Sequence, residues 1–321
     1  MKTIAVLSVA AVLLPAAATA QNRDFPQRPI RIIVPVPPGG SVDATARLLA
    51  PKMSESLGQS VVIDNRGGAS TNIGMEMVAR APADGYTLLA NTAPLVANPA
   101  LFPKLTFSPE KDFAPLSLVV SGPSVVVAHP SVPARTLAEL IALAKAKPGT
   151  INYSSSGAGT LTHLGAELFK YLSGANIVHV PYKGGGPALA AVVGGEIDVS
   201  FQTPLVAAGQ IKGGRLRALA VTAGKRLVIL PDVPTAAESG MPKFEFQSWV
   251  GLLAPANTPV AIVRQLNEHI VRAARAPDIA ERFTREGAEV VAGTPEHLRK
   301  VMSDETALWT KVIREMGIKA D

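Results

Sequence analysis

The chain reads as an α/β protein of two lobes with a cleft between them, and three observations predict this. Segments of strand character alternate with segments at helical spacing almost throughout, the pattern of sheets covered by helices on both faces. Three glycine-rich loops, at 35–40, 154–159 and 183–187, each follow a strand and open a helix, and sheets of this kind bind ligands at the carboxyl ends of their strands. The 321 residues are enough for two cores at ~100–200 residues per domain.

Taken in order, the first 20 residues read as a secretory signal. Lys2 is the charged start, residues 4–14 are the apolar run, and Ala18-Thr19-Ala20 fits small-x-small cleavage. The apolar run is too short to span a bilayer comfortably, so the mature chain is expected to start near Gln21, exported and soluble. The formal charge of +6 falls to +5 without Lys2. That mild excess favours acidic ligands, although ordinary surface bias is the weightier explanation. It shows no basic cluster with interleaved aromatics, so nucleic acid is not expected as a partner. Hydrophobic residues at 47% and charged residues at 17% describe a globular chain. There is no cysteine, and none of the five histidines stands in a metal-binding spacing, so no disulfide, metal or cofactor is expected.

Residues 30–34 (IRIIV) read as a strand running into the first glycine loop and a helix with apolar residues at Val42, Ala46, Leu49, Ala50, Met53 and Leu57. Ser41 is its expected N-cap, and Pro51 should kink it. A strand at 61–64, a helix at 75–80 and a strand at 86–91 follow, then a loop-like stretch with four prolines at 99–115. Residues 116–128, β-branched and broken by Gly122-Pro123, read as a crossing into the second lobe. Thr136 and Glu139 form a capping box. Strands at 151–153, 177–182 and 196–202 alternate with helices opened at Thr160, Pro187 and Thr203-Pro204. Residues 217–222 read as the return crossing. This gives a first lobe of 21–122 and 223–321 around a second lobe of 123–222. Thr235 and Glu238 make another box, 246–253 another strand, and Thr258-Pro259 and Thr294-Pro295 start long helices. The last of these is expected to bury Leu298, Val301, Leu308, Val312 and Met316.

The second glycine loop carries the functional signal. Thr160 is an expected N-cap, and the first turn of a helix offers free N–H groups and partial positive charge. Ser154, Ser155, Ser156, Gly157 and Gly159 add hydroxyls and room for close backbone approach. With no lysine or arginine between Tyr153 and Phe169, an anion here, most simply a carboxylate, would be held by dipoles. A serine hydrolase would want G-x-S-x-G, which is absent. His163 and Asp198 are conceivable partners of a serine, but a histidine packed or hydrogen-bonded beside the loop is the weightier reading. Dinucleotide and P-loop fingerprints fail: Thr162 stands where the former needs glycine or alanine. Asp43 either orients the first loop or stabilises a helix dipole. Trp249 reads as core.

The chain resembles the substrate-binding proteins of tripartite tricarboxylate transporters, the TctC or Bug family, over essentially the whole mature sequence. The similar segments are 35–47 (PVPPGGSVDATAR), 62–74 (VIDNRGGASTNIG), 84–88 (DGYTL), 153–169, 180–198 (VPYKGGGPALAAVVGGEID), 252–259 (LLAPANTP) and the Gly-Ala-Glu…Gly-Thr-Pro at 287–295. The resemblance implies a periplasmic binding protein of type II fold, two α/β lobes hinged by two crossing strands, monomeric and not an enzyme. It implies capture of a small organic acid, a mono- or dicarboxylate, for a membrane permease. A secreted hydrolase, or a sensor presenting its ligand to a receptor, is the alternative. Carried over, the carboxylate-holding loops are 36–43, including Val36, Pro38, Gly39, Gly40 and Asp43, and 154–160. Thr92, His163 and Gln202 are expected on the distal wall. Ser70 and Thr71 stand where the family often has glycine, and Leu95 where a polar residue is frequent.

Overall fold

The computed structural model describes residues 25–285 and 287–318; the expected signal segment lies outside them. The chain builds two sheets. The first starts with β1 (Ile30–Val34), α1 (Ser41–Leu57), β2 (Val61–Asn65), α2 (Asn72–Ala79), β3 (Thr87–Asn91), α3 (Pro94–Leu101) and β4 (Phe113–Pro123). The second holds β5 (Val125–Ala128), α4 (Leu137–Ala146), β6 (Ile151–Ser155), α5 (Leu161–Ser173), β7 (Ile177–Pro181), α6 (Gly185–Val193), β8 (Val199–Gln202), α7 (Pro204–Lys212) and β9 (Arg217–Val221). The chain then returns through β10 (Gln247–Pro255), α8 (Val260–Ala274), α9 (Pro277–Arg285), β11 (Glu289–Val290) and α10 (Pro295–Met316).

The first sheet has the order β11-β4-β10-β3-β1-β2 and the second β7-β6-β8-β5-β9. Both are mixed rather than parallel. The β-α-β units pair parallel, as β1 does with β2 and β3, whereas β10 runs antiparallel to β3 and β4, and β5 antiparallel to β8 and β9. The strands that carry the chain between lobes and back cause this difference. Each sheet has an apolar cluster on each face. In the first, Ile30, Ile32, Leu49 and Leu266 lie on one side, and Ile33, Leu89, Val96 and Trp309 on the other. In the second, Tyr153, Phe169 and Phe201 lie opposite Val125, Val192 and Leu216. Leu161 and Leu164 of α5 and Phe246 join the Trp309 cluster, so the two lobes share apolar contact.

Several local expectations are revised. Gly40, not Ser41, precedes α1, and a Cβ at 40 would stand 3.9 Å from Gly185 of the other lobe, an ordinary contact. Pro51 leaves α1 continuous, because Pro51 and Arg47, whose carbonyl it leaves without a donor, lie on the exposed face. Gly184 precedes α6, so Pro187 is its third residue. Pro259, not Thr258, precedes α8, and the Thr258 hydroxyl donates to the Pro255 carbonyl instead. Thr136 and Thr294 cap as expected, accepting from the Glu139 and His297 N–H groups. Thr235 and Glu238 exchange both capping-box bonds around a turn rather than a long helix. Helix α3 starts before the stretch from 99 that was expected to be loop and runs three residues into it. On α10, Trp309 and Ile313 are buried and Leu308 is 53% exposed.

The outward crossing is Ser124, between β4 and β5. The return lies later than the sequence suggests. After Thr222 the chain stays with the second sheet, burying Ala236, Met241 and Phe244 among Val126, Tyr153 and Phe201, before β10 begins at Gln247. This packing favours a lobe boundary near 246 over one at 222. Thr222 ties the crossings together: its hydroxyl accepts from the Ser124 N–H at 2.8 Å and donates to the Phe246 carbonyl, while its N–H donates to the Ser124 carbonyl. Thr222→Val should therefore leave the buried Ser124 N–H unpaired and cost ~1–3 kcal/mol in urea unfolding, with Thr222→Ser closer to wild type. A valine variant as stable as wild type would remove this tie from the hinge.

Candidate functional site: a cavity between the lobes

The site is built where strands end and helices begin. An inner cavity of about 50 Å³ lies between the lobes, the volume of about three to five waters at ~10–15 Å³ each. It opens past Val36, Thr71 and Ser156, which line both chambers, into an outer cleft of about 790 Å³. Six helices begin at the inner wall. Gly40, Ser41 and Val42 open α1; Thr71 precedes α2; Pro94 starts α3; Thr160, Leu161 and Thr162 open α5; Gly185 starts α6; Thr203 precedes α7. Each helix N-terminus carries roughly +0.5 elementary charge. Among the described residues no charged side chain lines the inner cavity, and Lys183 is the charged one on the outer wall.

Four polar atoms on this wall find no hydrogen-bond partner within the protein: Thr71 Oγ1, Asn91 Nδ2, Thr92 Oγ1 and Thr203 Oγ1. All four residues are buried. Asn91 Oδ1 already accepts from the Thr92 N–H at 2.9 Å, which leaves its amide hydrogens for something else. Unpaired buried groups cost ~1–3 kcal/mol each, so their convergence on one small cavity is a demand for a polar occupant. The approach to Thr71 is strained as well: Ala69, Ser70 and Thr71 have φ of 45°, 52° and 74°, a region that favours glycine. The Ser70 carbonyl accepts from Asn98 Nδ2 at 2.8 Å, which holds the turn.

The sequence-derived residues divide into wall and support. Val36, Gly40, Thr92, Ser156, Thr160 and Gln202 line the inner cavity, and Pro38 and Gly157 the outer cleft. Ser154, Ser155, Gly39, Asp43, Gly159 and His163 stand behind them. The Ser154 hydroxyl donates to the Ala188 carbonyl, and Ser200 Oγ accepts from Gln202 Nε2 and donates to the Ser154 carbonyl. The Thr160 hydroxyl donates back to the Gly157 carbonyl at 2.6 Å instead of capping its helix. His163 Nδ1 accepts from the Gly159 N–H. Ser155 Oγ lies 2.6 Å from His179 Nε2, a serine–histidine contact, but Ser155 is 0% exposed and off the cavity wall. Asn91 and Thr203 were not singled out from sequence as site residues; Thr71 was noted there only as a departure from the family pattern, and Gly185 only as part of the third glycine loop. Asn91 and Thr203 stand at or just past strand ends, which is the signal that could have found them. Leu95 packs in the core. Among the described residues no cluster of histidine or carboxylates could hold a metal, and no helix is long and apolar enough to cross a membrane.

Asp43 braces the first loop. Its carboxylate accepts from the Gly39 N–H, from Arg47 Nε at 3.0 Å and from Asn65 Nδ2 at 2.9 Å. Burial pushes its pKa up, but the bonds from Arg47, Asn65 and Gly39 outweigh this and hold it below the ordinary 3.8. The loop so braced meets its opposite number glycine to glycine. A Cβ at Gly186 would lie 3.1 Å from the Pro38 carbonyl, and one at Gly185 3.3 Å from Gly40 Cα.

Two expectations follow. A carboxylate whose pKa is lowered by folding adds stability above its unfolded value, and this is lost as pH falls through the folded one. The melting advantage of wild type over Asp43→Asn should hold at neutral pH and narrow below about pH 4; a gap constant down to pH 3 would contradict this role. Gly186→Val should prop the lobes apart, with little change in melting of the protein alone and a loss of solute affinity on the order of tenfold, ~1.4 kcal/mol. Unchanged affinity would show that closure does not need this contact.

The described geometry can be set beside known proteins. The family model for the tripartite tricarboxylate transporter family receptor matches residues 45–318. The protein BugT of Bordetella pertussis is 38% identical over 320 residues, 99% of this chain and 98% of its own. Rpa4515 of R. palustris, solved with adipate, superposes with a TM-score of 0.89 at 35% identity, over 92% of this chain and 99% of that one. MatC of Rhodopseudomonas palustris, solved with bound malate, gives a TM-score of 0.87 at 34% identity, over 90% and 100%.

Proposed function

The chain belongs to the tripartite tricarboxylate transporter receptor family, and from that membership we propose that it captures a small carboxylate between its lobes in the periplasm and delivers it to a membrane permease of that transporter type. The observation that carries the reading is the meeting of six helix N-termini and four unpartnered polar atoms on one small wall free of charged side chains. Dipoles fixed in a scaffold stabilise an anion without reorganising. The adipate and malate bound by the two Rhodopseudomonas proteins support the same chemical class here. The inner cavity suits a carboxylate with one or two carbons, and the rest of a longer acid would extend into the outer cleft. A hydrolytic reading finds no support, because the serine nearest a histidine is buried away from the wall.

A thermal-shift screen of mono- and dicarboxylates, followed by calorimetry, tests the proposal. At least one acid should bind, and Thr203→Val, which removes a cavity hydroxyl, should weaken it by roughly 1–3 kcal/mol. Binding confined to cationic or uncharged compounds would sink it.

A further inference from the structure

We propose that His163 is a positioning residue of this site: it fixes the second-lobe loop by accepting, as a neutral ring, the amide proton of Gly159, and so controls solute affinity without touching solute. A backbone N–H can only donate, so the 3.0 Å contact from Gly159 N to His163 Nδ1 requires a lone pair on Nδ1 and places the ring proton on Nε2. A second proton would set N–H against N–H and break the contact.

His163 is 3% exposed and is the third residue of α5, in the positive field of a helix start. The charged and titratable groups on the elements packed around it form one connected set. From β7, the His179 ring stacks on His163 with centroids 4.3 Å apart, and from β6 Tyr153 stacks on His179 at 4.9 Å. The Tyr153 hydroxyl donates to Glu167 of α5, which Lys170 also binds. From the other lobe, α3 brings the neutral Asn98 to Gly159.

Gly159 is where that field matters. Its φ is +73°, and a Cβ there would lie 2.5 Å from Asn98 Oδ1 and 2.7 Å from Leu101 Cδ1. The loop therefore touches the first lobe through a bare backbone whose amide His163 holds. Its neighbours in sequence are walls: Ala158 lines the outer cleft and Thr160 the inner cavity. Turning the Gly159 peptide moves both walls and the lobe contact together.

The solute affinity in this inference rests on the carboxylate reading above, so the test has an arm that does not. His163→Asn keeps an acceptor, Oδ1, where Nδ1 stands; His163→Phe keeps an aromatic ring for stacking and removes the acceptor. In the ¹⁵N-labelled protein, the Gly159 amide resonance should stay near its wild-type position in the Asn variant and move in the Phe variant. With malate as probe at pH 8, the Asn variant should bind within about threefold of wild type and the Phe variant on the order of tenfold more weakly. A Phe variant matching the Asn variant in amide shift and affinity would overturn the proposal. If malate fails to bind wild type, the amide arm still decides, and the failure belongs to the choice of solute.

Discussion

An anion taken out of water must meet compensating positive potential, and the reading proposed for this cavity draws that potential from backbone. Six helices point their N-termini at one cavity. The rest of the architecture follows from bringing those ends together. Parallel β-α-β units place helix starts at the carboxyl edge of each sheet, and the antiparallel crossing strands let two such edges face each other. Either lobe alone would present three of the six starts. The cavity exists only when both are docked, which makes contact between the lobes the condition for binding.

Beside the apolar contact of Leu161 and Leu164 with the Trp309 cluster, the first and third glycine loops meet through residues with little or no side chain. Gly39, Gly40, Gly184, Gly185 and Gly186 bring backbone against backbone or against Pro37 and Pro38, so these loops meet without interlocking side chains. Gly159 against Asn98 and Leu101 serves likewise on the far side of the cavity. At Gly159 the need is double, a left-handed φ and a close approach, so a larger residue there would strain the loop as well as obstruct closure. Thr222, at the crossings, is the polar tie about which the two halves are joined.

Much of this was legible in the sequence, for identifiable reasons. The strand–glycine–helix units at 30–57 and 151–173 announce themselves through periodicity and glycine, and the loops they contain do reach the cavity. Within those loops the split between wall and support was hidden. Ser154, Ser155 and Ser156 are equivalent in sequence, yet the alternation of a strand end turns Ser155 toward His179 and Ser154 toward Ala188, leaving Ser156 on the wall. Asn91 and Thr203 were missed because isolated polar residues at strand ends are common, and Thr71 was noticed only as a departure from the family pattern; only the fold shows that their polar atoms lack partners. Helix α3 was masked by its prolines: Pro94 sits at the permitted first position, and Pro99 lies within the first six residues of a short helix. The late return crossing was invisible because 223–246 has neither strand nor helix periodicity, and its membership of the second lobe rests on long-range burial of Ala236, Met241 and Phe244.

Arg47 explains why the cavity stays free of a cation although one stands close by in sequence. Its guanidinium is committed to Asp43 and to Asn65 Oδ1, and Asn65 and Gly39 complete the shell of the same carboxylate. The ion pair spends its charge on fixing the loop that carries Gly39 and Gly40. A direct arginine–solute pair would have a different character. Both ions would have to be stripped of water on capture and resolvated on release, and the long side chain would have to be ordered each time. Backbone dipoles are already ordered when the lobes fold, and their pull on an anion grows only as closure excludes water. A site made this way couples its grip to the separation of its halves: opening dilutes six weak fields at once, without any single strong bond to break. For a receptor proposed to surrender its cargo to a membrane partner, that coupling is the property the fold has to supply, and the engagement of Arg47 away from the cavity is what preserves it.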